Sequence, residues 1–284
     1  MHRIVAAWAS AGLATTLLAA PCAQAQTTAA PELKNPRISI DYVEPRRARY
    51  QGLYERLKKR QVLEQLAQFL SPLKLPLTLR IKFEECEMIN ADYSPLNLRV
   101  RICYDLIDFM ERHAPPENAP INGLITRKDA IVGTVVSVIL HEVGHALFDL
   151  LDVPVLGKEE DAADQIAGFI MLQFGKDIAR TTINGAAFDW VTFASASPKP
   201  HFDDVHSTPQ QRVYTFVCLG YGGDPDTFKD YVEKGLLPRE RAANCKNEYE
   251  QTKRAFTTTI LPYIDVDMMK QVQSRSWDLS VDGK

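Results

Sequence analysis

An apolar segment from Lys128 to Leu151 constrains the fold more than any other part of the chain, because it is too long for a single strand. Isoleucine, valine and leucine lie on all sides of it, and a helix that is apolar all round is a buried helix. Its β-branched residues locally favour a strand, but its length and the residues that follow favour a helix. Pro154 and Gly157 end the segment, and a second helix is predicted from Lys158 to Phe174.

The rest of the chain predicts a mostly helical α+β protein with a small antiparallel sheet. Apolar and polar residues alternate in 77–83 and 98–103, and turn residues link these stretches, so we expect them to pair as one long hairpin. Apolar residues at helical spacing predict an amphipathic helix over 47–70. Further helices are predicted in 208–222, 227–234 and 239–256.

The N-terminus has the anatomy of a secretory signal over residues 1–25. Arg3 precedes an apolar run, and "AQA" places small residues before a cleavage site after Ala25. A membrane anchor is the alternative, but the run is short and contains Ser and Thr. A lipid anchor on Cys22 is a second alternative, which the preceding Pro21 disfavours. We therefore expect an exported protein, periplasmic or secreted, with a flexible tail at 26–37 and a single domain at 38–284.

The charge of the chain gives no sign of a polyanionic partner. The net charge is -3, so nucleic acid is not expected to bind. A composition that is 45% hydrophobic and 24% charged is typical of a globular domain with a sizeable core. No stable insertion into a membrane is expected once the signal is removed.

Four cysteines remain after the predicted signal: Cys86, Cys103, Cys218 and Cys245. An even number in an oxidising compartment predicts two disulfides, for which three pairings exist. We favour the pairs that are close in sequence, Cys86–Cys103 and Cys218–Cys245, since each flanks a predicted hairpin or helix pair. Four buried free thiols are the alternative. A four-cysteine zinc site is disfavoured because no two cysteines have a short ligand spacing.

The apolar helix carries the pattern H-E-x-x-H. His141 and His145 lie four residues apart, so both rings leave the same helix face and can reach one ion. Glu142 points toward the side on which a metal-bound water would lie. The pattern therefore predicts two zinc ligands and a general base. The alternative is a pair of core histidines that only form hydrogen bonds.

A catalytic zinc needs a third protein ligand and an open position, and "EEDAADQ" at the start of the next helix can supply the ligand. Glu160 and Asp164 lie four residues apart on one face. One can bind the metal while the other accepts the N–H of a ligand histidine. The alternative is a solvated acidic first turn that complements the helix dipole.

"HEVGHA" followed by "EDAAD" resembles the gluzincin metallopeptidases, whose pattern is H-E-x-x-H and then E-x-x-A-D on the next helix. The resemblance implies a zincin-like fold and one catalytic zinc on His141, His145 and Glu160. It also implies that Glu142 is the general base and that Asp164 is the partner of a ligand histidine, His141.

The mature chain as a whole resembles a bacterial secreted family of unknown function that is named as metallopeptidases after its zinc motif. The matching stretches are "CEMINADYSP", "RICYDL", "HEVGHALFDLLDVPVLGKEEDAADQ" and "HSTPQQRVY". Only fourteen residues separate His145 from Glu160, fewer than in many gluzincins, so Glu159 and Asp161 stay open as alternative third ligands.

The segment "DDVHSTPQQR" is similar to one in membrane-linked relatives of the gluzincins, where a histidine and an arginine lie near the substrate. The resemblance implies that His206 stabilises the oxyanion, with Asp204 orienting it and Arg212 nearby. A histidine that only caps a surface helix is the alternative. His113 and His201 lie in Pro-rich loops and are expected to be solvated.

These features predict a secreted zinc-dependent peptidase that acts on a peptide or protein. Glu142 would take a proton from the attacking water and return it to the leaving amine. An extended substrate is expected to add as a strand to Leu98–Cys103. The alternative is a secreted zinc-binding protein that recognises a partner without cleaving it, although simple metal binding has no use for Glu142.

Overall fold

A computed structural model of the protein describes residues 33–196, 202–275 and 277. The predicted signal, residues 26–32 of the predicted tail and His201 lie outside the described residues. Residues 33–37 of that tail contact the body of the protein. Leu33 is buried, and the side-chain amide of Asn35 donates to the carbonyl oxygens of Ser71 and Leu73 at 3.1 and 2.6 Å. Residues 33–37 are therefore packed against the domain ahead of the first strand.

The described residues form a small sheet and a larger helical body. The strands are β1 (Ile38–Tyr42), β2 (Leu79–Glu84), β3 (Ala91–Ser94) and β4 (Arg99–Cys103). The helices are α1 (Gln51–Lys59), α2 (Val62–Phe69), α3 (Tyr104–His113), α4 (Thr134–Leu150), α5 (Glu159–Met171), α6 (Lys176–Ala196), α7 (Pro209–Gly223), α8 (Pro225–Phe228), α9 (Asp230–Glu233), α10 (Arg239–Thr259) and α11 (Val266–Gln273). The predicted mostly helical α+β class is confirmed.

The sheet is mixed, with the strand order β1-β2-β4-β3. The predicted hairpin of β2 with β4 is wrong, because these two strands run parallel, and β3 pairs antiparallel with β4 instead. Alternation identifies the buried face of a strand but not its neighbour, and the link between β2 and β4 contains a strand of its own. The buried face packs under the helices with Leu79, Ile81, Phe83, Val100 and Ile102, none of which is exposed.

The predicted helix over 47–70 is two helices, α1 and α2. Gln61 between them adopts a left-handed conformation, with φ of 52°, which interrupts the helical hydrogen bonding. The change of direction lets both short helices bury an apolar face, through Leu53 and Leu57 on α1 and Leu63 and Leu66 on α2.

The apolar segment forms a helix in the core. A short π-helical turn at Asp129–Gly133 leads into α4. Among the described residues, one helical stretch, Asp129–Leu150, is long and apolar enough to span a membrane, and 83% of its most apolar window is buried inside the protein. Packing within the protein therefore accounts for its composition.

Helix α6 was not predicted from the sequence, since Thr181, Thr182, Asn184 and Gly185 are weak helix formers. It crosses the start of α4 in backbone contact. A Cβ atom added to Gly185 would lie 2.1 Å from the carbonyl carbon of Gly133. The crossing thus requires glycine, and it holds α6 directly against the helix of the H-E-x-x-H pattern.

Both favoured disulfides form in the structure. Cys86–Cys103 joins the segment before β3 to the end of β4, with a Cα–Cα distance of 5.4 Å. Cys218–Cys245 joins α7 to α10, with a Cα–Cα distance of 4.9 Å. Two disulfides indicate an oxidising compartment.

Candidate metal centre

Helices α4 and α5 bring three potential metal ligands to one point. The Nε2 atoms of His141 and His145 are 3.2 Å apart. Glu160 Oε2 lies 3.1 Å from the first and 3.5 Å from the second. In the part of the chain that the structure describes, these residues form the one group of three or more metal-ligating side chains whose atoms all lie within 4.8 Å of one another.

The spacing of these atoms fits a metal ion. Ligand bonds of 2.0–2.1 Å in a tetrahedral arrangement place neighbouring ligand atoms about 3.3–3.4 Å apart. The three measured separations lie within about 0.3 Å of that value. Two imidazole nitrogens and one carboxylate oxygen also suit a divalent transition metal. His141, His145 and Glu160 can therefore hold such an ion and leave a fourth position for another ligand.

A close contact between α4 and α5 allows Glu160 to reach this point. Gly144 lies between the two histidines, and a Cβ atom added there would be 3.3 Å from the Cα atom of Ala163. Ala163 and Ala167 on α5 are fully buried. Small residues on both helices keep the axes close, so that a glutamate side chain spans the remaining gap.

Asp164 and Arg212 hold His141 from behind. The Nδ1–H of His141 donates to Asp164 Oδ1 over 2.9 Å. Arg212 donates to both carboxylate oxygens of Asp164, at 2.6 and 2.7 Å, and its guanidinium carbon lies 3.6 Å from the ring centre of Trp190. Burial opposes the charge of Asp164, but the hydrogen bonds from His141 and Arg212 hold its pKa below the ordinary value. This arrangement directs Nε2 of His141 at the metal position.

Glu159 holds His145 in the same way. Its Oε1 atom accepts from Nδ1 of His145 over 2.7 Å, and its side chain is 56% exposed. Asp161, the other alternative ligand, accepts from the hydroxyl of Ser207. The structure therefore distinguishes the roles of the three neighbouring acids, since of these only Glu160 lies beside Nε2 of both histidines.

The carboxylates around the histidines favour positive charge. Burial lowers the pKa of His141, but the hydrogen bonds to Asp164 and Glu160 outweigh it and raise the pKa to about 9. Burial raises the pKa of Glu160, but hydrogen bonds from His141, His145 and His206 outweigh it and lower the pKa well below its ordinary range. A metal cation at the point of convergence satisfies the same carboxylates.

Glu142 lies beside the three ligands at the wall of an open cleft. The cleft has a volume of about 960 Å³ and is also lined by His141, His145 and Glu160. Glu142 is buried, and burial raises its pKa above the ordinary value of a glutamate. A carboxylate with a raised pKa next to a metal position is suited to accept a proton.

The edge strand along the cleft is β3 and not Leu98–Cys103. The expected strand, β4, is paired on both sides, with β2 and with β3. Ala91, Asp92 and Tyr93 of β3 line the cleft. Tyr93 donates from its hydroxyl to Asp149 over 2.6 Å. The backbone edge that faces the candidate site is therefore that of β3.

The structure places His206 next to Glu160. Its Nε2 atom is 3.0 Å from Glu160 Oε2, and its Nδ1 atom is 2.8 Å from Asp204 Oδ1. Lys158 donates to the backbone oxygens of Asp204 and His206, which fixes this loop at the start of α5. Arg212 lines a narrower cavity together with His206, while its guanidinium pairs with Asp164 in the interior. His113 is exposed.

Two further residues near the site were missed because they lie on the unpredicted helix α6. Trp190 stacks on Arg212, and Asp189 is a buried carboxylate. The pattern of α6 alone offers no chemical signal for either residue. A correct helix prediction would have placed Asp189 and Trp190 about one helical turn beyond Gly185.

Comparison with known proteins gives one family match. No curated protein and no solved structure matches the chain. A family model described as "Putative metallopeptidase" matches residues 42–260, more than half of the chain and the whole of α4, α5 and α7. The chain therefore belongs to this family of putative metallopeptidases.

Proposed function

We propose that the protein is an exported zinc-dependent peptidase. The observation that carries this proposal is the convergence of His141, His145 and Glu160 beside the carboxylate of Glu142, at the wall of a cleft that reaches an exposed strand edge. The two disulfides and the signal-like N-terminus support export to the periplasm or the medium.

The donor set of two imidazoles and one carboxylate is typical of catalytic zinc. Held by His141, His145 and Glu160, a zinc ion would supply a Lewis acid for the substrate carbonyl and a source of hydroxide near neutral pH. Glu142 accepts the proton of the attacking water on its carboxylate and passes it to the nitrogen of the leaving amine. Asp164 and Glu159 keep Nδ1 of each ligand histidine protonated, so that each Nε2 stays available to the metal.

His206 is proposed to stabilise the negative charge that develops on the carbonyl oxygen. Its Nε2 atom borders the ligand oxygen of Glu160, and Asp204 accepts from Nδ1. Asp204 thus fixes the orientation of the ring and supports its charged form. A donor held in place before the reaction stabilises an oxyanion without reorganisation.

An extended peptide is proposed to lie along β3. Its backbone would pair with the free edge of Ala91–Ser94, and the sheet order leaves that edge unpaired within the described residues. The cleft between β3 and α4 then places a backbone carbonyl beside Glu142. The substrate is therefore a protein segment or peptide in an extended conformation.

Metal analysis and a peptide-library digest test this proposal. We expect about one zinc per chain and cleavage that a chelator abolishes. Glu142→Ala is expected to keep zinc and lose about 10²–10⁴-fold or more in turnover, since the base is removed. His145→Ala is expected to lose both zinc and cleavage.

Glu240→Ala is the matched control, because Glu240 is exposed on α10. Unchanged turnover in the Glu142 variant would remove the mechanism. Stoichiometric zinc without any cleavage would instead favour a zinc-binding protein that recognises a partner.

A further inference from the structure

A second, narrower cavity opens beside the metal centre. It has a volume of about 140 Å³ and shares His141, Glu142 and His206 with the cleft. Its apolar walls come from several elements: Leu106, Val138, Trp190, Phe193 and Phe216. A group that enters this cavity therefore lies next to the reacting bond.

Asp189 on α6 lines the same cavity and is almost fully buried, with 3% of its surface exposed. Its Oδ1 atom has no hydrogen-bond partner among the described residues. Buried polar groups almost always find a partner, and an unpaired buried carboxylate is costly. Asp189 is thus a buried carboxylate at the wall of the cavity, and one of its oxygens has no partner among the described residues.

Four of the other charged groups that line the cavity, Asp164, Arg212, His141 and His206, have partners. Asp164 and Arg212 neutralise each other in a two-bond ion pair. His141 and Glu142 belong to the metal centre, and His206 bonds to Glu160 and Asp204. Among the described residues, Asp189 is the lining carboxylate that lies outside the metal centre and has no ion-pair partner. Burial raises its pKa to about 7, although the charge of Arg212 lowers it in part.

We propose that this cavity is a substrate subsite for a basic side chain, lysine or arginine, of a residue that flanks the cleaved bond. The cationic end would pair with Asp189, and the methylene stem would pack against the apolar walls. The cavity volume of about 140 Å³ is sufficient for one long side chain. This inference rests on the proposed peptidase function and names the substrate class of that site.

Cleavage of matched peptides tests the subsite. The peptides differ only in having lysine, arginine or the uncharged norleucine at each position around the cleaved bond. We expect kcat/KM to be about 10–100-fold higher for a basic residue at one flanking position, because a charge-assisted hydrogen bond is lost in the norleucine peptide. Asp189→Asn should reduce this ratio to about one.

Asp177→Asn is the matched control, since it makes the same change at an exposed position of the same helix. The preference of the Asp177→Asn variant for peptides with a basic residue should equal that of the wild type. Should Asp189→Asn fail to fold, Asp189→Ala removes the charge without adding a buried amide. A wild type that cleaves norleucine and lysine peptides equally, or a preference that survives the loss of the Asp189 charge, would overturn the proposal.

A binding measurement separates this proposal from the peptidase function itself. Fluorescent lysine and norleucine peptides are titrated into the zinc-loaded Glu142→Gln protein, with and without Asp189→Asn. If the wild type cleaves no peptide, the peptidase function fails, yet tighter binding of the lysine peptide that depends on Asp189 still supports the subsite. Equal binding of the two peptides would refute the subsite alone.

Discussion

Each of the two candidate ligand histidines of α4 donates a hydrogen bond from Nδ1 to a carboxylate, but one of these carboxylates is buried and the other is exposed. On the inner side, His141 donates to Asp164, which is buried and doubly bonded to Arg212 under Trp190. On the outer side, His145 donates to Glu159, whose side chain is more than half exposed. The geometry at the metal position is nearly the same for both rings.

The two carboxylates therefore both orient a histidine ring, but they contribute differently to the stability of the fold. Each carboxylate fixes the orientation of its imidazole. Of the two, only Asp164 belongs to a buried ion pair, and its partner Arg212 would be left buried without a counter-charge if Asp164 were removed. Water can replace the outer bond and cannot easily replace the inner one. We therefore expect the same chemical change to have very different effects on the two sides.

The largest difference is expected in the stability of the fold. Asp164→Ala leaves the Arg212 guanidinium buried without its partner, and we expect the free energy of unfolding to fall by about 3–5 kcal/mol. Glu159→Ala should lower it by about 1 kcal/mol or less, because the pair is largely exposed. Urea-induced unfolding in the presence of a chelator measures both, and equal losses would break the comparison.

One contribution to the pH dependence of stability is expected to come from Asp189, on the inner side. Its folded-state pKa is raised to about 7 from 3.8, so between these values the folded protein holds a proton that the unfolded chain has released. Stability therefore falls as the pH rises through that window. Asp189→Asn should be more stable than the wild type by about 2–4 kcal/mol at pH 8 and not at pH 4. Asp177→Asn, the same change at an exposed position of α6, is the control.

Metal affinity is expected to show a smaller contrast. Asp164→Asn replaces the carboxylate that orients His141, and the affinity for zinc should fall by about 10–100-fold. Competition with a coloured chelator measures this change at a pH where the variant stays folded. An unchanged affinity would mean that the buried pair supports the fold alone.

The smallest effect is expected from Glu159→Gln. The amide oxygen can still accept from Nδ1 of His145, and the site is open to water, so zinc affinity should change by less than about fivefold. The same chelator competition measures it. A loss as large as that of Asp164→Asn would show that exposure does not decide the role of these carboxylates.

The ligand pattern on α4 could be predicted because it depends on one helical turn. Residues four apart share a face, which places His141 and His145 together whatever surrounds them. The choice among Glu159, Glu160 and Asp161 could not be made in this way. It depends on how far α5 lies from α4, and the contact between Gly144 and Ala163 that sets this distance is long-range.

The strand pairing of the sheet and the presence of α6 were harder to predict from the sequence, because both depend on long-range packing. Alternation along β2 and β4 identified two strands, but the partner of each depends on the chain between them, where β3 adds four residues. Helix α6 contains threonine, asparagine and glycine, whose low helix propensity is overridden by packing. The sequence therefore predicted the ligand helix and the fold class better than the walls of the site.

The backbone contact between Gly133 and Gly185 has a consequence for how related chains can diverge. No side chain separates the two helices there, so no rotamer can absorb a change in their distance. Asp189 and Trp190 follow one turn later on α6, and Glu142 lies further along the same core helix. Relatives that keep both glycines should accordingly keep the same distance between these two helices. Their substrate preference should then differ only through the side chains that the two helices carry.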